Sequence, residues 1–551
     1  MDKLWLKHYQ KGVPTEIDPN DYASLTHLFL KSCHQYKDSI AYSHMGFEMS
    51  YGELEKQSLY FASYLQQLGL QKGARVAIML PNVIQFPIVL FAILQAGYIV
   101  VNTNPLYTSD ELTHQLLDCG AEAIIVLANF ASTIEKSMPK LPLIKHVIIT
   151  QIGDVFPTFK RLITNAVVKY VKKMVPPYHI PHAIDFRKAL RVGAFMPFKP
   201  VELSHEDIAF LQYTGGTTGG AKGAMLTHRN IIANVLQASA WIAPLSLSSQ
   251  DIIITALPLY HIFSLTANCL TFFNVGAKSI LITNPRDMGR FIKAIKHSQF
   301  TAITGVNTLF NALLKCPQFK KVDFSKLKLA LSGGMALQKS VALKWQEVTH
   351  SPILEAYGLT ETSPAVTVNP LNLRSYNGSI GLPISSTDIS IRDDSGKEVP
   401  IGESGELCVK GPQVMAGYWH QNDETALVFW KDGFFRTGDI AKMNDDGFVF
   451  LVDRKKDMIL ISGFNVYPNE VEQVISMLPG VHEVGVIGVV DENSVEQVKA
   501  CIVKSDPSLT KEQVIAYTRE HLTPYKVPKI IEFYDELPKT NIGKILRRAL
   551  R

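Results

Sequence analysis

Twelve consecutive residues, Tyr213-Thr214-Gly215-Gly216-Thr217-Thr218-Gly219-Gly220-Ala221-Lys222-Gly223-Ala224, gather five glycines, three threonines and one lysine. Glycines let the backbone turn tightly and aim its N–H groups inward, threonines add hydroxyl donors, and lysine adds positive charge. Together they suit a polyphosphate. Gly223 follows Lys222 where a Walker loop has Ser or Thr, and the dinucleotide fingerprint is absent too. Read alone, the run is also compatible with a solvent loop, although three threonines are unusual in a linker.

Three further constellations could do chemistry. In Glu355-Ala356-Tyr357-Gly358-Leu359-Thr360-Glu361-Thr362, an aromatic ring can stack on a base and Thr360 can bond phosphate. Glu361 offers a hard oxygen to Mg2+; standing alone, the motif could also be a β-turn with an exposed glutamate. Arg436-Thr437-Gly438-Asp439 and Asp453-Arg454-Lys455-Lys456 supply a carboxylate able to accept both hydroxyls of a ribose, and an arginine for sugar or phosphate. Singly, these read as a turn and a solvated charge run. Lys544, in Pro538-Lys539-Thr540-Asn541-Ile542-Gly543-Lys544-Ile545-Leu546, is by composition a solvated lysine near a basic end. Pro258-Leu259-Tyr260-His261-Ile262-Phe263-Ser264-Leu265 sets apolar side chains beside one histidine, which suits an acyl tunnel or plain core.

The elements that must carry these residues follow from periodicity. Ser50-Tyr51-Gly52-Glu53-Leu54 opens a helix running through Tyr64 and Leu65, and residues 75–80, 123–127 and 208–212 read as buried strands. A helical pattern starts near Thr227. The alternation predicts βαβ units on a largely parallel sheet. The apolar run 86–101 is short of the ~20 residues a spanning helix needs. It reads as a buried helix to Gln95, a stop at Gly97 and a strand at 98–101. Dense Gly, Asp and short apolar runs over 389–450 predict short β-strands. Beyond Lys455-Lys456-Asp457 the chain reads as a compact α+β unit. Its helices start at Pro468 and Thr510, and its strands lie at 484–490, 499–503 and 529–534.

Composition narrows the class. At 551 residues, roughly three to four structural units are expected. A net charge of +5 lacks the concentrated basic face of a nucleic-acid binder. The 46% hydrophobic and 19% charged content excludes wholesale disorder. Six scattered cysteines and no signal-peptide core point to the cytoplasm. Residues 156–199 carry nine Lys and Arg against Asp185 alone. Phe159, Ile163, Ala166, Tyr170 and Met174 fall near one helical face there. Such a helix can rest on an anionic membrane or simply be solvated.

The motifs, in this order from Ser50-Tyr51 to Lys544, resemble the adenylate-forming superfamily of acyl-CoA synthetases, luciferases and peptide-synthetase adenylation domains. Tyr-Thr-Gly-Gly-Thr-Thr-Gly followed by Ala-Lys-Gly-Ala-Met-Leu-Thr-His-Arg-Asn is most similar to bacterial long-chain fatty-acid–CoA ligases. The resemblance implies an α/β fold with a large multi-subdomain N-terminal domain (1–455), mixed and parallel sheets plus a short β-rich portion, and a small mobile α+β C-terminal domain (456–551). It implies that residues 213–224, Gly333, Gly334, Ala356, Tyr357, Gly358, Thr360, Asp439, Arg454 and Lys544 hold ATP or AMP. Tyr357 would lie on adenine and Asp439 would take the ribose. Glu361 and Thr214 would hold Mg2+ and, with Lys544, act in catalysis.

Lys456 corresponds to the family's hinge. Ser462, Gly463 and Phe464 would line the coenzyme A path, and His261, Ile262 and Phe263 the acyl tunnel. Ser264 and Leu265 stand where similar enzymes can carry a gating tryptophan. The implied reaction has two steps. A fatty carboxylate attacks the α-phosphorus of Mg·ATP to give an acyl-adenylate and pyrophosphate. Coenzyme A thiolate then displaces AMP. A homodimer is a further family-level expectation. A medium-chain or aryl acid–CoA ligase is the near alternative; an inactive nucleotide-binding lipid scaffold is the alternative of another class.

Overall fold

The expected buried strands assemble two large sheets in a computed structural model that describes residues 3–214, 221–461, 464–490, 496–540 and 543–551. Gly215, Gly216, Thr217, Thr218, Gly219, Gly220, Ser462 and Gly463 lie outside the described residues, as does the side chain of Phe464. One sheet has eight strands. Ile208–Tyr213, Ile99–Asn102, Arg75–Met79, Ala123–Leu127, His146–Thr150 and Ile184–Asp185 run parallel through it, and Gly223–Thr227 and Gly417–Tyr418 form its antiparallel edge. The other has nine. Its parallel centre runs from Ile353–Gly358 through Leu329–Ser332, Ala302–Gly305, Ile252–Thr255 and Lys278–Leu281 to Ile40–His44.

Local signals end the helices where the sequence says they should. Ser50 and Glu53 form a reciprocal capping box for the Tyr51–Gln66 helix, and Thr227 with Asn230 does the same for His228–Ile242. The Gln85–Gln95 helix is buried along its whole length, as its apolar run requires. It stops at Gly97, whose φ of +76° suits glycine. No helix among the described residues is long and apolar enough to cross a membrane. The six cysteines are all free thiols.

The β-rich portion is a four-stranded antiparallel sheet, Asp388–Arg392, Gly405–Lys410, Phe435–Met443 and Val449–Arg454. The C-terminal part places the Pro468–Ser476 and Lys511–His521 helices against a sheet of Val481–Val490, Glu496–Lys504 and Ile530–Tyr534, with its own apolar core.

One strand carries no signal in the sequence and one local reading changes. Gly223–Thr227 forms a strand just before the helix, which begins at His228 as the pattern near Thr227 indicates. The basic amphipathic segment is a helix over Thr158–Ala166 that widens to a π-helix over Val167–Val171 and ends before Met174. Tyr170 and Met174 therefore do not extend one regular α-helical face.

The ends of the parallel strands deliver the motifs to one place, the usual location for ligands on such sheets. Close backbone packing there makes glycine obligatory at position 358, where a Cβ would lie 1.8 Å from the Pro364 carbonyl oxygen. Gly358→Ala is expected to destabilise the protein by about 2–3 kcal/mol through overpacking. Denaturant unfolding checks this; an unchanged midpoint would show that the backbone yields.

Candidate active site

A cavity of about 1700 Å³ opens at the carboxyl ends of these strands. It is lined by Tyr213, Thr214, Lys222, His261, Ile262, Phe263, Gly333, Gly334, Ala356, Tyr357, Gly358, Thr360, Glu361, Asp439, Arg454, Lys456 and Lys544. Residues spread over more than 300 positions thus share one wall. Ala221 does not line it. Gly223 and Ala224 belong to the adjoining strand, where Ala224 is buried and pairs with Gln212 and Tyr418.

Each side chain is placed by its neighbours. The Thr214 N–H donates to the Lys222 carbonyl at 3.0 Å, closing the base of the glycine loop. Lys222 Nζ pairs with the Glu424 carboxylate and lies 5.3 Å from the centre of the Tyr418 ring. The Tyr418 hydroxyl donates to Glu361 Oε1 at 2.7 Å, so one tyrosine touches both the loop lysine and the acid of the second motif. Gly333 ends the Leu329–Ser332 strand, and a Cβ there would meet the Ala356 carbonyl oxygen and the Phe263 ring at 3.1 Å. Bare backbone is thus exposed to the cavity at this strand end.

The Tyr357 hydroxyl donates to Asp439 Oδ2 at 2.7 Å, and Arg454 Nε stands 3.6 Å from Asp439 Oδ1. Strand register fixes that last pair, because Asp439 faces Arg454 directly across the antiparallel ladder. Lys544 arrives from the C-terminal part. Thr308, at the start of the Asn307–Lys315 helix, donates its hydroxyl to the Gly543 carbonyl at 3.1 Å. A Cβ on Gly543, whose φ is +88°, would sit 2.5 Å from the Thr308 hydroxyl, so the lysine segment docks only with glycine there.

Burial sets the electrostatics. It pushes the Lys544 pKa down to about 7, with nearby Arg454 adding repulsion. Burial lowers His261 to about 4, again with a contribution from Lys544, so the imidazole is neutral at physiological pH. Burial raises the Glu361 carboxyl above its ordinary range, and the Tyr418 hydrogen bond works against that shift. A buried carboxylate facing a polar cavity is a fitting place for a divalent cation, whose charge would relieve the same penalty. Glu361 and the Thr214 hydroxyl both suit it as oxygen donors.

Sequence reasoning gave no role to Glu355, Tyr418 or Thr308. Glu355 lines the cavity with Tyr357; its Oε1 accepts the Leu337 N–H at 3.3 Å, and burial lifts its pKa to about 8. It lay inside a quoted motif. Tyr418 and Thr308 carried no signal beyond ordinary aromatic and helix-start residues. Among the described residues, no cluster of His, Cys, Asp and Glu could hold a metal ion by itself.

One cavity thus gathers Tyr357, Glu361, Asp439 and Arg454 with Lys544 from near the end of the matched C-terminal region. Residues 29–419 match the AMP-binding enzyme family and residues 470–544 match the AMP-binding enzyme C-terminal domain. The chain belongs to the AMP-binding enzyme family. It is 55% identical over 552 residues to the long-chain-fatty-acid–CoA ligase of Yersinia pestis, covering 100% of this chain and 98% of that protein. The protein of the same name from Escherichia coli O6:H1 (strain CFT073) shows 55% identity with the same coverage. Among solved structures, the anthranilate CoA ligase AuaEII in complex with anthranoyl-AMP superposes with a TM-score of 0.86 at 26% identity, covering 97% of this chain and 98% of that one.

A polyanion prefers the protonated form of Lys544, which is lost as pH rises through about 7 in the ligand-free protein. Calorimetry is therefore expected to show ATP affinity weakening above pH 7 relative to Lys544→Arg, whose guanidinium stays charged. Parallel pH profiles for the two proteins would contradict the assignment.

Proposed function

We propose that this chain is an ATP-dependent long-chain fatty-acid–CoA ligase acting through an acyl-adenylate. The arrival of buried Lys544 in the cavity that also holds Tyr357, Glu361, Asp439 and Arg454 carries the reading. Full-length likeness to ligases of that name supports the substrate class.

In the first step a carboxylate oxygen of the fatty acid bonds to the α-phosphorus, the bond to the β-phosphate oxygen breaks, and pyrophosphate leaves. Negative charge builds on the phosphoryl oxygens during that step, and a cation held close by is the side chain that stabilises it most. Lys544 does this. The anionic substrates raise its pKa again and return it to the ammonium form. Asp439 accepts the ribose hydroxyls beside Arg454, Tyr357 packs at the base, and Glu355 and the Gly333–Gly334 backbone border the same pocket. Glu361 and Thr214 would hold Mg2+, which when bound would neutralise part of the phosphate charge.

The acyl chain runs past His261, Ile262 and Phe263. Ala238, Trp241 and Ile242, on one face of the His228–Ile242 helix, continue the cavity wall with Leu329 and Leu331. This apolar branch favours an alkyl chain. In the second step the coenzyme A sulfur bonds to the acyl carbon and AMP departs with the former carboxylate oxygen. The two steps need different groups at one place. We assign the change to rotation of a C-terminal unit (456–551) about Lys456, against a main body (1–455), with Ser462, Gly463 and Phe464 on the pantetheine path.

Peripheral contact with an anionic membrane is part of the proposal. On the Thr158–Ala166 helix and the π-turn after it, Phe159, Tyr170 and Val171 are 79%, 68% and 70% exposed, and Leu162 and Ile163 are exposed as well. Lys160, Arg161, Lys169, Lys172 and Lys173 flank them, with no acidic residue between Asp154 and Asp185. An anionic surface answers that charge, and the exposed apolar side chains can enter its headgroup layer.

Pyrophosphate exchange into ATP, run across carboxylic acids of increasing length, is expected to peak with long alkyl chains; a peak with short or aromatic acids would overturn that choice. Lys544→Ala is expected to lose about 10²-fold or more in exchange. It should keep thioester formation from supplied acyl-adenylate. Co-sedimentation with vesicles is expected to rise with anionic lipid content and to fall in Phe159→Ser/Tyr170→Ser. Binding indifferent to lipid charge would argue against the membrane face.

A further inference from the structure

We propose that Asp453 and Arg547 form a latch that holds the C-terminal unit in the pose where Lys544 reaches the nucleotide, and that this latch opens before thioester formation. The inference rests on the two-pose reading given above. It concerns Asp453, Asn469, Glu472 and Arg547, which line the same cavity but have no part in the proposed chemistry.

Asp453 lies on the Val449–Arg454 strand, three residues before the hinge, with its side chain 0% exposed. Its Oδ1 accepts Arg547 Nη1 at 3.0 Å and the Arg454 N–H at 2.7 Å. Its Oδ2 accepts the Asn469 N–H at 2.7 Å. Asn469 is the second residue of the Pro468–Ser476 helix, and Tyr467 at that helix's N-cap offers no side-chain cap. A carboxylate from before the hinge therefore caps a helix from beyond it, at the end where the helix dipole favours negative charge. The same carboxylate grips the arginine three residues after Lys544.

Arg547 has other partners, all beyond the hinge. Its Nε donates to Glu472 Oε1 at 3.0 Å, and Nη2 donates to Asn469 Oδ1 at 2.5 Å. Nη1 lies 3.5 Å from Asp457 Oδ2, the residue directly after Lys456. The Lys544 segment is tied to the same unit, since the Leu546 N–H donates to the Pro538 carbonyl and the Thr540 N–H to the Lys544 carbonyl.

Rotation about Lys456 would sort these bonds into two groups. Asn469, Glu472 and Arg547 travel together and keep their mutual contacts. Asp453 stays with the main strand and loses both the arginine and the helix amide. Because Glu472 keeps Arg547 paired in either pose, the arginine is never left as a lone buried charge, and the energetic difference falls on Asp453. Charge-assisted hydrogen bonds of a buried carboxylate are strong enough to bias such an equilibrium. The bias favours the pose with Lys544 in the cavity.

Asp453→Asn keeps the shape and removes the charge. Pyrophosphate exchange should fall roughly 5- to 30-fold, the population shift that the loss of one or two kcal/mol of bias produces. Thioester formation from supplied acyl-adenylate should be unchanged or faster. Asp453→Ser, which retains an oxygen to cap the helix but no charge, is the second allele and should show the same selective loss. In a double-mutant cycle, Asp453→Asn and Arg547→Lys should be non-additive in exchange alone. Equal losses in both half-reactions, or unaltered exchange, would overturn the latch. Lys544→Ala separates this failure from that of the underlying reading. If it impairs both half-reactions equally, the two-pose scheme itself falls; if it stays selective while Asp453→Asn does not, only the latch falls.

Discussion

A lysine ammonium buried beside an arginine is an unfavourable thing to build, and the architecture around this cavity follows from the need to hold one there. Burial and Arg454 together bring Lys544 down to a pKa of about 7. In the proposed reaction, bound anionic substrates would restore its full positive charge. That is the electrostatic form of a pocket matched to a charge-rich transition state rather than to an empty resting state. Its cost is met by the docking of Gly543 on Thr308 and by the ionic cluster around Arg547.

The two large sheets and the β-rich sheet divide the remaining work. The eight-stranded sheet presents the loop lysine, the nine-stranded sheet presents the bare Gly333 backbone with Tyr357 and Glu361, and the four-stranded sheet sets Asp439 opposite Arg454 by register. Tyr418 links two of these layers. Its strand pairs with Gly223–Thr227, its ring lies beneath Lys222 and its hydroxyl meets Glu361. The apolar branch beyond His261 leaves the same cavity between a helix face and strand residues, and in the proposed reaction the carboxylate and the phosphate chain would meet where the branches join.

Much of this was legible in the residues. Period-two and period-3.6 patterns located the strands and the capped helices at 51 and 228, because burial and capping are local demands. Glycine-rich motifs marked the strand ends, since only a missing Cβ permits the approaches seen at Gly333 and Gly358. The strand Gly223–Thr227 escaped because its neighbouring loop dominates the local signal and one of its two partners, Gly417–Tyr418, is far away in sequence. Thr308, Tyr418 and Glu355 were unreadable for a related reason. Their roles arise only when remote strands and helices converge, and nothing in their own neighbourhoods announces it. Lys544 was misleading by composition and became informative only through the order of motifs.

Isotope tracing tests the central chemistry most directly. With a fatty acid whose carboxylate carries 18O, ATP, Mg2+ and coenzyme A, attack on the α-phosphorus leaves one labelled oxygen in the AMP released. Finding that single label in AMP is the result expected here. Label in inorganic phosphate or pyrophosphate, or unlabelled AMP alongside thioester product, would contradict an acyl-adenylate held against Lys544.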